Sequence, residues 1–153
     1  MSEAAIDALV LERARLQAGD DVLVLGGGGL VFGAHERIGD GWVYVVRSQV
    51  DELEELLGEA HGNGAAGLAY LVGETPVLPL PDEAVAAVLG GLATDEGALA
   101  EAARELRRVV APGGRLALAE PDEAAAAALA DALRDAGFAD AAAADGVVTA
   151  VRG

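Results

Sequence analysis

The run Asp21-Val22-Leu23-Val24-Leu25-Gly26-Gly27-Gly28-Gly29-Leu30 carries the strongest architectural signal in the chain. Val22 to Leu25 are all apolar and read as a buried strand, and the consecutive glycines read as a tight loop. Residues 31–38 start a helix behind it. A strand, a glycine loop and a helix N-terminus together make a nucleotide-binding corner of an open α/β sheet.

Outward from that corner, the pattern alternates. Residues 4–17 have Ile6, Leu9, Val10 and Leu16 at helical spacing, stopped by Ala18-Gly19-Asp20. Residues 42–46 form a second strand, in which Trp42 and Tyr44 share one face. Ser48 caps a helix over residues 49–60, whose Asp51, Glu52, Glu54 and Glu55 form a solvated face. Residues 67–72 form a third strand. Pro76, Pro79 and Pro81 make residues 74–82 a loop, and residues 84–89 a fourth strand follows. Thr94 or Asp95 caps a long helix to residue 110, with Leu99, Ala103, Leu106 and Val110 inward. Pro112-Gly113-Gly114 ends that helix, and residues 115–119 make a fifth strand. An alanine-rich helix over residues 122–136 precedes a last strand pair, 138–143 and 147–151, around Asp145-Gly146. Alternating strands and helices predict a mostly parallel sheet covered on both faces.

Composition bounds the rest. The chain has 153 residues, the size of one domain with one sizeable core, and we read residues 1–153 as that domain. No apolar run nears the roughly 20 residues needed to span a bilayer. Met1-Ser2-Glu3 lacks the basic start of a secretion signal, so a soluble, cytoplasmic protein is expected. Without cysteine there are no disulfides, thiolate metal sites or thiol nucleophiles, and no metal is expected. Net charge is −16 and all 10 basic residues are arginine. That field repels nucleic acid and anionic membranes. A GC-rich genome or a high-salt habitat would each produce it. His35 and His61 lack a partner motif and read as structural or solvated.

Four segments resemble the class I S-adenosylmethionine-dependent methyltransferases. Leu16-Gln17-Ala18-Gly19-Asp20-Asp21-Val22-Leu23-Val24-Leu25 is similar to the family's run into its first strand. Leu78-Pro79-Leu80-Pro81-Asp82-Glu83 is similar to the segment before its fourth. Leu106-Arg107-Arg108-Val109-Val110-Ala111-Pro112-Gly113-Gly114-Arg115-Leu116-Ala117-Leu118 is similar to its helix, Pro-Gly-Gly turn and fifth strand. Ala136-Gly137-Phe138 is similar to the entry to its last two strands. Together the resemblance covers residues 9–152. It implies a doubly wound, Rossmann-like seven-stranded sheet of order 3-2-1-4-5-7-6, with strand 7 antiparallel. It also implies S-adenosylmethionine lying across the carboxyl ends of strands one, two and four.

The family's cofactor residues carry over position by position. Gly26, Gly27 and Gly28 occupy the glycine loop, and Leu30 falls on its third glycine, where a side chain would crowd the cofactor. The family's strand-one acid is replaced by Val24. Its acid on the ribose hydroxyls is replaced by Arg47, and its strand-four acid by Ala86. Glu74 and Thr75 follow Gly73 as the family's Gly-Asp-Ala does, which leaves Glu74 for the adenine amino group. A carboxylate on two ribose hydroxyls makes charge-assisted bonds of about 1.5–3 kcal/mol each. Losing both weakens binding roughly 10²–10⁴-fold. An arginine there also suits a 2′-phosphate, as in NADP-type sites, which adds a third ligand class.

The family's active members cover the substrate with an N-terminal extension or an insertion after strand five. Here about twenty residues precede strand one, and Glu120-Pro121-Asp122 runs directly into the next helix. Two readings result. One is a methyltransferase-like pseudoenzyme with a degenerate cofactor site and a binding or assembly role. The other is an active methyltransferase for a small-molecule substrate, with its cover supplied by a homo-oligomer or protein partner. No catalytic residue is assigned in either.

Overall fold

The computed structural model describes residues 2–25, 28–47, 67–72, 77–92 and 96–153. Its elements are α1 (Glu3–Ala14), β1 (Val22–Leu25), α2 (Gly28–Ile38), β2 (Val43–Arg47), β3 (Leu68–Val72) and β4 (Val85–Gly90). A 3-10 turn (Glu96–Ala98) then leads into α3 (Leu99–Val109), β5 (Val110–Ala119), α4 (Glu123–Asp135), β6 (Phe138–Ala144) and β7 (Val147–Arg152). The seven strands make one sheet in the order β3-β2-β1-β4-β5-β7-β6. Neighbours from β3 to β5 run parallel, and β7 runs antiparallel to both β5 and β6. This is the order and polarity that the resemblance implies. The helix expected over residues 49–60, His61, and the caps Thr94 and Asp95 lie outside the described residues.

Strand alternation builds two cores. Leu23, Val88, Leu116 and Leu118 point to the face covered by α3 and α4, where they meet Leu106, Leu129, Leu133 and Phe138. Val22, Val24, Leu89 and Ala117 point to the other face and meet Val10, Leu11, Val31 and Ile38 of α1 and α2. A period of two along strands whose faces are both buried produces this division. Among the described residues, no polar or charged residue is fully buried.

Helix ends follow local chemistry. Ser2 Oγ accepts from Ala5 N at the start of α1, and Asp122 Oδ1 accepts from Ala124 N and Ala125 N at the start of α4. α1 stops at Ala14, three residues short of the expected end. Arg15 is left-handed with φ 49°, and Gln17 N donates to Asp20 Oδ2, so the chain has already turned toward β1.

The Pro-Gly-Gly segment is also placed differently from expectation. Rather than separating α3 from the fifth strand, it lies inside β5. Val85 pairs with Val110 and Ala87 with Arg115, so residues 111–114 bulge opposite Ala86. Gly114 is required there, because a Cβ would stand 2.7 Å from Ala111 O and 2.9 Å from Ala86 O.

The segment entering β4 is tied to α3 by one carboxylate–guanidinium pair. Glu105 accepts from Leu78 N (2.6 Å) and twice from Arg108 (2.6 and 2.9 Å). Arg108 also donates to Leu78 O, Leu80 O and Asp82 Oδ1. Hydrogen bonding from Arg108 holds the Glu105 carboxyl below its ordinary value of 4.5 against the opposing effect of burial. A depressed carboxyl pKa contributes stability that is complete above about pH 4.5 and is lost as pH falls through the folded value. Arg108→Ala should lower stability by about 2 kcal/mol at neutral pH, a discounted figure because the arginine is partly solvated. It should also flatten the acid limb of a urea-unfolding stability profile. An unchanged acid limb would show that the pair contributes nothing.

Candidate functional site

The carboxyl ends of β1, β2, β4 and β5 form one edge of the sheet. Strand order reverses between β1 and β4, which makes their tips the switch point where open α/β sheets bind ligands. The two tips are in very close contact. Leu25 pairs with Gly90, and Gly91 N donates to Leu25 O at 3.0 Å. Gly90 has φ +124°, and a Cβ there would stand 2.3 Å from Leu25 O. Only glycine fits both the dihedral and the space.

Of the cofactor positions carried over from sequence, Gly28 opens α2 and Arg47 closes β2, in register with Val72 of β3. Gly26, Gly27, Glu74 and Thr75 lie outside the described residues. Val24 is fully buried against α1 and α2. Ala86 is the second residue of β4, and its N–H donates to Asp21 O at the opposite end of β1.

Leu30 corrects an expectation. It is 4% exposed and packs with Val10, Val31 and Ala34 in the core between α1, α2 and the sheet. An apolar side chain on the first turn of α2 gains more from burial under α1 than from the solvated mouth of the sheet. It therefore does not crowd the glycine corner.

The glycines beyond the loop serve helix packing. A Cβ on Gly29 would stand 2.8 Å from Asp7 Oδ2, and one on Gly33 would stand 2.5 Å from Leu11 Cδ1. One i,i+4 pair on α2 thus receives one i,i+4 pair on α1. Asp7 brings a carboxylate beside the first turn of α2, and sequence reading missed it. Burial, and then the neighbouring Glu3, push its carboxyl above the ordinary range. A signal was present: Asp7, Leu11 and Ala14 share a helical face that is otherwise apolar.

A cavity of about 350 Å³ opens beside the ends of β4 and β5, lined by Leu92, Leu99, Glu120, Asp122, Ala125 and Leu129. Its acids are already engaged: Glu120 Oε1 accepts from Asp122 N, and Asp122 caps α4. The cavity thus offers apolar and acidic lining, and among the described residues neither acid is paired to a base. His35 is half-buried on α2, and Tyr44 packs against the α3–α4 core, whereas Trp42 is 48% exposed. Among the described residues, no group of three or more His, Cys, Asp or Glu could hold a metal, and no helix is long and apolar enough to cross a membrane.

No family model and no curated protein sequence matches the chain. Solved structures do. A precorrin-6y C5,15-methyltransferase from Geobacter metallireducens superposes with a TM-score of 0.81 at 17% identity, over 100% of this chain and 90% of that one. The chain bound to the methyltransferase activator Trm112 from Haloferax volcanii gives a TM-score of 0.71 at 20% identity, over 94% and 87%. The [4+2]-cyclase SpnF gives 0.73 at 24% identity; it covers 88% of this chain, which spans only 56% of the cyclase.

This chain has the class I S-adenosylmethionine-dependent methyltransferase fold. In that fold the ends of β1, β2 and β4 lie along one edge of the sheet. Identities of this size carry the fold and not the activity. The same scaffold also appears under the name of a cyclase, so function has to be argued from the site.

Proposed function

We propose that this protein is a methyltransferase-fold pseudoenzyme: a single cytoplasmic domain over residues 1–153 with a degenerate cofactor site, working as a non-catalytic binding or assembly partner. The observation that carries the reading is the end of β2. The strand closes on Arg47 at the carboxyl edge, where the resemblance puts the carboxylate that holds the ribose. An arginine at that position offers a donor in place of an acceptor of two hydroxyl protons, and its charge has the same sign as a sulfonium cofactor. Val24, buried in place of the strand-one acid, supports the same reading, whereas Ala86 lies at the amino end of β4, away from that edge, and does not bear on it. Leu30 does not, because it belongs to the core. A protein partner accords with the activator complex in which a structure of this fold is found.

A second reading is favoured by the cavity at the mouth of β4 and β5. In it the protein is an active methyltransferase for a small-molecule substrate, with S-adenosylmethionine bound through Gly26, Gly27, Gly28, Glu74 and Thr75. A homo-oligomer or protein partner supplies the cover. The cavity's apolar and acidic lining suits a substrate with an apolar body and a hydroxyl or amine head.

Thermal unfolding with S-adenosylmethionine, or with its demethylated product, separates the two. A specific ligand at about 100 times its Kd stabilises by roughly 2.7 kcal/mol, or about 5–10 °C here. The pseudoenzyme reading predicts no shift at millimolar ligand. A saturable shift of that size overturns it in favour of the second reading.

A further inference from the structure

A second concave surface lies at the opposite edge of the sheet. The amino ends of β4 and β5 meet the end of the antiparallel β7 there, beside the C-terminal half of α3. A groove of about 400 Å³ is lined by Arg104, Arg107, Arg108 and Arg152, with Asp82 and Glu83 on its rim. Four of the chain's 10 arginines thus converge in one place on a protein of net charge −16.

The four are not equivalent. Arg108 is saturated by Glu105, Asp82 and two backbone carbonyls. Arg152 donates to Val110 O and pairs loosely with Glu83 at 3.6 Å, while its buried Nε has no acceptor. Arg104 and Arg107, one turn apart on α3, make no hydrogen bond or ion pair among the described residues. Arg107 also has a seat. It lies over Gly137, whose φ is +105° and where a Cβ would come 2.9 Å from Arg107 Nε. The guanidinium is therefore positioned by the turn between α4 and β6, and its donors are left unused by the protein.

We propose that this groove binds a small phosphorylated ligand. Arg104 and Arg107 take the phosphate oxygens, Arg152 adds positive charge from the floor, and Asp82 and Glu83 face the ligand's hydroxyl or amine groups. Planar guanidinium forks match tetrahedral oxyanions bidentately. The rim acids disfavour a long, extended polyanion such as nucleic acid, while a compact phosphate group can sit between Arg104 and Arg107. The site is independent of the cofactor edge, so its fate does not bear on the pseudoenzyme reading.

The probe is inorganic pyrophosphate, titrated calorimetrically at pH 7.5 and constant ionic strength into the wild type and into an Arg104→Gln/Arg107→Gln variant. Both arginines are exposed, so the variant should keep its fold, and its circular dichroism and melting temperature check that. The expected result is saturable submillimolar binding to the wild type, weakened at least tenfold in the variant. Absence of saturable heat, or equal binding by both proteins, overturns the proposal. In that event Arg107 serves only to complement the C-terminal dipole of α3.

Discussion

Gly90→Ala is expected to lower stability by about 2–6 kcal/mol, which for a chain of this size is roughly 4–24 °C in melting temperature. Two effects add. The residue sits at φ +124°, where a Cβ is strained by about 1–3 kcal/mol. The same Cβ would press on Leu25 O, C and Cα at 2.3, 2.5 and 3.0 Å. Those are backbone atoms of a paired central strand, so they cannot swing away as a side-chain end would, and overpacking adds about 1–3 kcal/mol more. Gly19→Ala is the internal control. It has φ +87° and nothing within 4 Å of its Cβ, so it measures the dihedral strain alone. Urea unfolding of the two variants should separate them by the contact contribution. If Gly90→Ala is no worse than Gly19→Ala, the tips of β1 and β4 are not in the rigid contact described here. This junction is the switch point of the sheet, where open α/β sheets bind ligands. A nucleotide-sized ligand would lie across it.

The strands, their order and the two-faced core were legible because each rests on a short-range pattern. Alternation in β1 assigns Leu23 to one face and Val22 and Val24 to the other without knowledge of any partner. The resemblance then orders the strands. What sequence could not supply are contacts between segments far apart in the chain. Leu30 aligns with a loop glycine, yet burial under α1 decides its place, and that depends on how α1 crosses α2. Gly29 and Gly33 accommodate Asp7 and Leu11 of α1, a fit that depends on the same crossing. The start of β5 differs from the expected residue 115 for another reason. A Pro-Gly-Gly run ordinarily ends an element, but here β5 already pairs with β4 at Val110 and carries the run as a bulge. Arg104, Arg107, Arg108 and Arg152 look in sequence like a helix end and a chain end; only the fold brings them to one groove.

Arg47→Asp should tighten binding of the demethylated cofactor, S-adenosylhomocysteine, by roughly 10²–10⁴-fold. The substitution supplies two charge-assisted acceptors of about 1.5–3 kcal/mol each at the end of β2. For the sulfonium form it also exchanges a charge of like sign for one of opposite sign, so the gain for S-adenosylmethionine should be the larger of the two and should shrink as salt is raised. Equilibrium dialysis of both ligands against wild type and variant, at low and high salt, reads all of this directly. Arg47→Ala makes the necessary comparison: it deletes the charge without adding an acceptor, so it should recover part of the salt-dependent gain and little else. Three outcomes are informative. A gain in Arg47→Asp over a non-binding wild type supports a site that lost its ribose contact and kept its frame. Tight binding by the wild type itself ends the pseudoenzyme reading. No gain in either variant would mean that β2 closes on a residue unrelated to the ribose position, which removes the support that Arg47 lends to a degenerate site and leaves the fold untouched.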